Sequence, residues 1–277
     1  MLLQNILLSR LLLSGSALTV RNGGRQSSRL IHHQNKMAMN AASSDEDSGN
    51  YKLAQDPSEL FDIYPAPPTK AHFNAIIGPD WGDDFFPAPQ PTGKVKKRSQ
   101  VHKDGDWHRS MHLWIYQFDS ANENVRVLLQ RRSPYKDTHP NMLDVSCAGH
   151  VNAGDDILET TMREMEEELG GNGNIKGRYS LEDVKNSRMF TVTSAIEGET
   201  EKHGKYICRE YQDVFILKWK ADAPMESHDF APMVKEEVSG FDIIDGQELI
   251  LKLRKGDEEL VPRSGQYIDA LAKVFGC

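Results

Sequence analysis

Gly149-His150-Val151-Asn152-Ala153-Gly154-Asp155-Asp156-Ile157-Leu158-Glu159-Thr160-Thr161-Met162-Arg163-Glu164-Met165-Glu166-Glu167-Glu168-Leu169-Gly170 is the stretch on which the reading of this chain turns. Residues 156–169 read as its clearest helix. With Glu164 at zero on a wheel turning ~100° per residue, Met165, Leu158, Leu169 and Met162 fall between roughly 100° and 160°, one apolar stripe facing a core. Glu164, Glu167 and Glu168 gather within roughly 100° on the adjacent flank, because residues three and four apart share a face. Glu159 and Glu166 fall together elsewhere. Three carboxylates on one face repel each other, and hard divalent cations with oxygen ligands relieve that repulsion. Asp155 and Asp156 favour the helix start through its dipole. Gly149 and Gly154 let the backbone approach a ligand, and Gly170 with Gly171 ends the helix. Glutamate runs usually cover a solvated helix face, and geometry alone leaves that reading and a metal site equally open.

The same stretch resembles the Nudix box, Gly-x5-Glu-x7-Arg-Glu-U-x-Glu-Glu-x-Gly-U, where U is a bulky aliphatic residue. Gly149, Arg163, Glu164, Met165, Glu167, Glu168 and Gly170 stand at their required positions. Asp155 replaces the first Glu and Gly171 the last aliphatic residue. The first change keeps a carboxylate with a shorter reach, which puts a direct metal role for Asp155 in doubt. The resemblance implies an α/β fold, a mixed β-sheet sandwiched between α-helices. It also implies an enzyme that cleaves a diphosphate linkage in a nucleoside diphosphate derivative or related compound, with Mg²⁺ or Mn²⁺ and a water nucleophile. Glu164, Glu167 and Glu168 would then hold the metal, and Arg163 would orient a neighbouring glutamate. The general base in such enzymes is sometimes a box glutamate and sometimes one outside; Glu236 and, above all, Glu237 are the outside candidates, with a solvated charged turn as their alternative. Gly149 and His150 would border the substrate. A catalytically silent binding domain has no need of three adjacent carboxylates.

The bulk properties agree with a soluble enzyme. The 277 residues suffice for one well-packed domain with extensions. A net charge of −8 argues against a broad nucleic-acid surface and leaves room for a local basic pocket. Cys147, Cys208 and Cys277 form no CxxC pair, which suits reduced thiols. No stretch reaches the ~18 apolar residues that span a bilayer. A small-molecule diphosphate is therefore the expected partner, and homodimers are frequent among Nudix enzymes.

Residues 1–44 lack Asp and Glu but carry Arg10, Arg21, Arg25, Arg29 and Lys36 among many Ser and Leu residues. That composition predicts a disordered transit peptide for import into a mitochondrion or plastid. A secretory signal is weakened by Arg10, and a start at Met37 or Met39 would leave a cytoplasmic protein. Residues 45–100 read as an N-terminal extension, with a possible strand at Leu60–Tyr64 and a Pro-rich surface insertion at 65–90. Residues 101–277 form the expected Nudix domain. Strands are predicted at Ser110–Phe118, Val125–Arg131, Arg188–Ile196, Tyr206–Trp219 and Val238–Ile244, with a hairpin turn at Asn122-Glu123-Asn124. Helices are predicted near Gly246–Leu253 and Tyr267–Phe275.

Outside the box, the chain resembles a subgroup related to isopentenyl-diphosphate isomerase and a plant Nudix domain fused to a dipeptidyl-peptidase. The shared stretch starts near Phe61-Asp62, resumes at Thr92-Gly93-Lys94, and includes His102-Lys103-Asp104-Gly105-Asp106-Trp107-His108-Arg109. Arg131, Arg132 and Lys136 match basic positions that help hold a diphosphate in the isomerase, and basic side chains are what such a pocket requires. Isomerisation is the alternative reading. It needs a cysteine where this chain has Ala148, and a one-residue shift along a strand turns Cys147 to the opposite face. The isomerase also uses two acidic residues two apart; Glu210 matches one, and Cys208 occupies the other place. His102, His108 and His150 fall near or at its histidine ligands. The intact glutamate set favours hydrolysis. Substrate identity rests in loops such as Tyr135–Leu143 and Ala195–Lys205, for which one sequence supplies no code.

Overall fold

Strict alternation along one long strand sorts the whole core into two layers. In the computed structural model, which describes residues 56–67, 76–77, 90–119, 124–200, 204–221 and 223–277, β4 (Trp107–Asp119) is that strand. Met111, Leu113 and Ile115 enter one apolar cluster, and Trp114 enters the other. Successive side chains of a strand point to opposite faces, so each cluster marks one face of the sheet.

Before β4 come β1 (Leu60–Asp62), β2 (Ile76–Ile77), β3 (Val95–Lys97) and the short helix α1 (Arg98–Asp104). After it come β5 (Asn124–Arg132), β6 (Leu143–Asp144), β7 (Cys147–His150), helix α2 (Ile157–Leu169) and helix α3 (Leu181–Ser187). The chain then runs through β8 (Arg188–Thr200), β9 (Gly204–Lys218), β10 (Val238–Asp245), α4 (Gly246–Lys255) and α5 (Gly265–Phe275). The eight-stranded sheet has the order β10-β5-β4-β9-β8-β2, with β6 beside β5 and β7 beside β4. Only β4 and β9 pair in parallel among these; β1 and β3 make a separate antiparallel pair.

On one face, Met111, Leu113, Leu128 and Phe215 pack with Met165 and Leu169 of α2 and Val184 of α3. On the other, Trp114, Val127, Leu129 and Val214 pack with Leu249 of α4 and Leu271 and Phe275 of α5. This is the expected mixed sheet between helices. Asp156 caps α2 by accepting from the Leu158 and Glu159 N–H groups at 2.8 and 3.2 Å, which satisfies donors that have no partner inside the helix.

The predicted strands and helices formed, and the short strands β2, β3, β6 and β7 and two short helices add to them. α1 and α3 have seven residues each, too few for periodicity to reveal. α3 is set instead by a capping box between Ser180 and Asp183. The boundary placed at residue 100 falls inside α1, and Phe61 and Val101, both fully buried, share one small apolar cluster. The residues from 56 onward that the structure describes thus pack with the domain rather than preceding it. Residues 1–44 and most of 65–90 lie outside the described residues, as do Asn122 and Glu123 of the expected turn. No described helix is long and apolar enough to cross a membrane.

Candidate active site

The two faces of the sheet carry different chemistry at the β7 end. Cys147 and Gly149 turn toward α2, while Ala148 packs against the opposite cluster. On the α2 face, the box glutamates divide. Glu164 and Glu168, one helical turn apart, are 8% and 3% exposed, whereas the Glu167 side chain is half exposed. The wheel explains the split: Glu164 and Glu168 border the apolar arc, and Glu167 lies one step beyond it. Arg163 bridges the edge, 3.0 Å from Glu164 and 3.2 Å from Glu167. The oxygens of the three glutamates do not all lie within 4.8 Å of one another.

Glu164 is pressed against β7. A Cβ on Gly149 would stand 2.3 Å from its carboxyl carbon, so only glycine leaves room for the acid. Glu168 Oε2 accepts from the Ala148 N–H at 2.9 Å and from Gln130 Nε2 at 3.4 Å. Burial first, then the charge of Glu168, pushes the Glu164 carboxyl well above its ordinary range. Burial also raises Glu168, against Lys136 and the Ala148 N–H. Two buried carboxylates with so little compensation form an oxygen-only donor set that fits a hard divalent cation.

The basic residues predicted to hold a diphosphate do not converge. The Lys136 ammonium lies 3.4 Å from Glu237 and lowers the neighbouring Glu168, so it belongs to the site. Glu237 also faces the pair and raises both carboxyls. Arg132 is taken up by Asp144 at 3.1 Å and the Thr138 carbonyl at 2.9 Å. Arg131 alternates with Gln130 and lies on the side of Val127 and Leu129, where it reaches Asp242 at 2.8 Å and the Asn141 carbonyl. The resemblance to the isomerase put both arginines at the diphosphate, but strand alternation turns Arg131 away and a buried aspartate engages Arg132. Gln130, 2% exposed, was not predicted; its signal is an amide standing in the apolar strand run beside Leu128 and Leu129. Gly171, where the box asks for a bulky aliphatic, is also explained: a Cβ there would meet the Pro232 carbonyl oxygen at 2.7 Å.

His150 does not join the glutamates. Its Nε2 lies 3.1 Å from Glu210 Oε1, within a group formed by His102 of α1, His108 of β4, and Cys208 and Glu210 of β9. Phe61 stacks on His108 and His150 at 5.3 and 4.9 Å. Burial, then His108, pushes His102 down to about 3, and burial with Arg98 takes His150 to about 4. Burial alone would raise Glu210, but the imidazoles of His108 and His150 hold it well below the carboxylate range. Burial and Glu210 raise the Cys208 thiol.

A NUDIX domain family model matches residues 107–264. Nudix hydrolase 3 of Arabidopsis thaliana is 34% identical over 180 residues, which make up 64% of this chain and 21% of the plant protein. The chain thus corresponds to about a fifth of that relative's length. An uncharacterized Nudix hydrolase of Clostridium acetobutylicum is 34% identical over 166 residues, 60% of this chain and 70% of the bacterial protein. Isopentenyl-diphosphate Delta-isomerase of Serratia proteamaculans is 27% identical over 139 residues, 49% of this chain and 66% of the isomerase. A crystal structure of a protein from Deinococcus radiodurans aligns over 78% of this chain and 99% of its own, at 17% identity and a TM-score of 0.42. With the NUDIX model covering more than half of its length, from Trp107 to Ser264, the chain belongs to the Nudix family.

Proposed function

We propose that this chain hydrolyses a diphosphate linkage in a nucleoside diphosphate derivative or a related small molecule, on the α2 face of the sheet. The observation that carries this reading is the buried pair Glu164 and Glu168, held against β7 by the absence of a side chain at Gly149. Glu164 and Glu168 would hold Mg²⁺ or Mn²⁺, joined by Glu167 once its carboxylate turns away from Arg163. Bound there, such a cation would supply charge neutralisation of the diphosphate and polarisation of phosphorus. Lys136 offers a positive charge to a phosphate oxygen at the mouth of the pair. Glu237, beside Lys136 and close enough to raise Glu164, would accept the proton of the attacking water. Ala148 offers no nucleophile for isomerisation.

A panel of nucleotide sugars, dinucleotides, coenzyme A and prenyl diphosphates, incubated with Mg²⁺ or Mn²⁺, tests the reading. Cation-dependent release of a phosphate-containing product is expected, nearly abolished in Glu164→Gln. Full turnover of Glu164→Gln on the best substrate would sink the assignment. Conversion of isopentenyl diphosphate to its dimethylallyl isomer would instead favour the isomerase reading.

A further inference from the structure

The loop of residues 151–156, which joins β7 to α2, links the two walls of the carboxylate site. At one end Gly149 lies against the Glu164 carboxyl, and at the other Asp156 caps the helix that carries Glu164, Glu167 and Glu168. The loop is tied in part by its near surroundings. The Asp155 N–H donates to the Asn152 carbonyl at 3.0 Å, and the Val151 N–H to the Arg109 carbonyl of β4 at 3.0 Å. Two further N–H groups find their acceptors far upstream. Ala153 donates to the Leu60 carbonyl at 2.7 Å, and Gly154 to Asp62 Oδ2 at 2.8 Å, 92 residues away. Gly154 has φ +82°, and a Cβ there would meet nothing within 4 Å, so the backbone conformation and not crowding calls for glycine.

β1, which supplies both acceptors, is itself held firmly. Phe61 is fully buried and stacks on His108 and His150 at 5.3 and 4.9 Å. The Glu59 carboxylate accepts from Arg98 of α1 at 2.8 Å, and the Glu59 carbonyl from the Arg98 N–H at 2.7 Å. The Ile63 N–H donates to the Lys94 carbonyl at 2.9 Å, and its own carbonyl accepts from the Thr92 N–H at 2.8 Å. Side chains alternate along a strand, so burying Phe61 turns Asp62 the other way, toward the loop. A carboxylate binds an N–H more strongly than a neutral acceptor does. Here it restrains a glycine, the residue with the widest choice of backbone conformations.

We propose that Asp62 is a positioning residue for the carboxylate site: its bond to Gly154 sets the loop, and through the loop the placement of Gly149 and Asp155 around α2. The inference rests on the reading of the α2 carboxylates as the place of the cation. Asp155 follows Gly154 directly, and its charge acts on Arg163, the guanidinium that bridges Glu164 and Glu167. A loop free to turn at Gly154 would carry Asp155 away from Arg163 and let α2 shift against β7. Carboxylates loosened in this way hold a cation less tightly, because groups outside the ligand set orient the ligands themselves. The working unit thus starts at β1, upstream of the residues 107–264 that the NUDIX model matches.

Hydrogen exchange and Mn²⁺ binding of the full-length protein test this. In metal-free Asp62→Ala, checked for folding by circular dichroism, residues 151–156 should exchange about tenfold faster than in wild type. The Mn²⁺ dissociation constant, read from the electron paramagnetic resonance signal of the free ion, should rise about tenfold. Asp62→Asn keeps an acceptor oxygen of the same reach and should stay within about threefold of wild type in both measurements. Unchanged exchange across residues 151–156 in Asp62→Ala would overturn the proposal. Mn²⁺ held equally by wild type and Asp62→Ala would overturn it too, while leaving the α2 site standing. Wild-type protein that binds no Mn²⁺ would overturn both.

Discussion

Asp213 in β9 and the pair Glu164 and Glu168 in α2 are all buried acids on the same side of the sheet, yet their surroundings have opposite consequences. Asp213 is fully buried and accepts from Arg109 at 2.5 Å, Arg188 at 2.7 Å and Thr191 at 2.7 Å. Burial alone would raise its carboxyl, but the two guanidinium groups hold it below the ordinary range. Asp144 follows the same rule: burial is outweighed by Arg263 and Arg132, which bring it to about 2. Glu164 has one arginine at the exposed edge, and Glu168 has Lys136, two N–H donors and the Cys147 thiol, with no guanidinium group. A buried acid with its counter-ions built in is part of the frame. A buried pair without them carries charge that the fold leaves uncompensated, which the proposed cation would neutralise.

The largest effect expected from this contrast is on folding. Asp213→Ala removes the buried carboxylate that Arg109 and Arg188 share and should cost about 3–5 kcal/mol, read by denaturant unfolding. An unchanged unfolding midpoint would mean that the arginines find other partners and that the contrast is empty.

On α2 the sign reverses. In metal-free protein, Glu168→Gln should gain on the order of 1–2 kcal/mol at pH 8 and little at pH 5. The folded-state carboxyls of Glu164 and Glu168 are raised, so their protonated forms are the ones folding favours, and stability falls as pH climbs from the ordinary glutamate value through the raised one. Asp144 and Asp213 act in the other direction, losing their contribution only as pH drops below the ordinary aspartate range. Melting curves of metal-free protein between pH 7 and 8, above the range in which the lowered His102, His112 and His150 add stability as pH rises, should therefore slope downward, and saturating Mg²⁺ should flatten them. A slope that Mg²⁺ leaves untouched would break the link between the pair and the cation.

The smallest effect separates two basic residues that looked equivalent. Lys136→Ala should raise KM about tenfold, roughly 1.4 kcal/mol. Arg131→Ala should leave it within about twofold, since such a surface pair contributes ~0–1 kcal/mol to stability and lies away from the glutamates. Equal losses in both variants would restore Arg131 to the substrate.

The helix and its chemistry were legible because both rest on local order. The 3.6-residue period put Met165 and Leu169 against a core and grouped the glutamates, and fixed spacing from Gly149 to Gly170 carried the family resemblance. The long strands of the sheet followed from their apolar runs, whereas β2, β6 and β7, two to four residues each, are too short to leave such a pattern. The rest was decided by the tertiary structure, because it depends on which face of which strand meets which distant residue. The wheel placed Glu167 beside Glu164 and Glu168 but could not say where the buried arc stops. Strand pairing sent Arg131 to Asp242, and Arg132 to Asp144, 12 residues along the chain. It also took His150 to the face opposite its box neighbours, 60 residues from Glu210. Charge compensation inside a protein is set by distances across the fold, and a linear pattern contains those only where the contacts are a helical turn or a strand step apart.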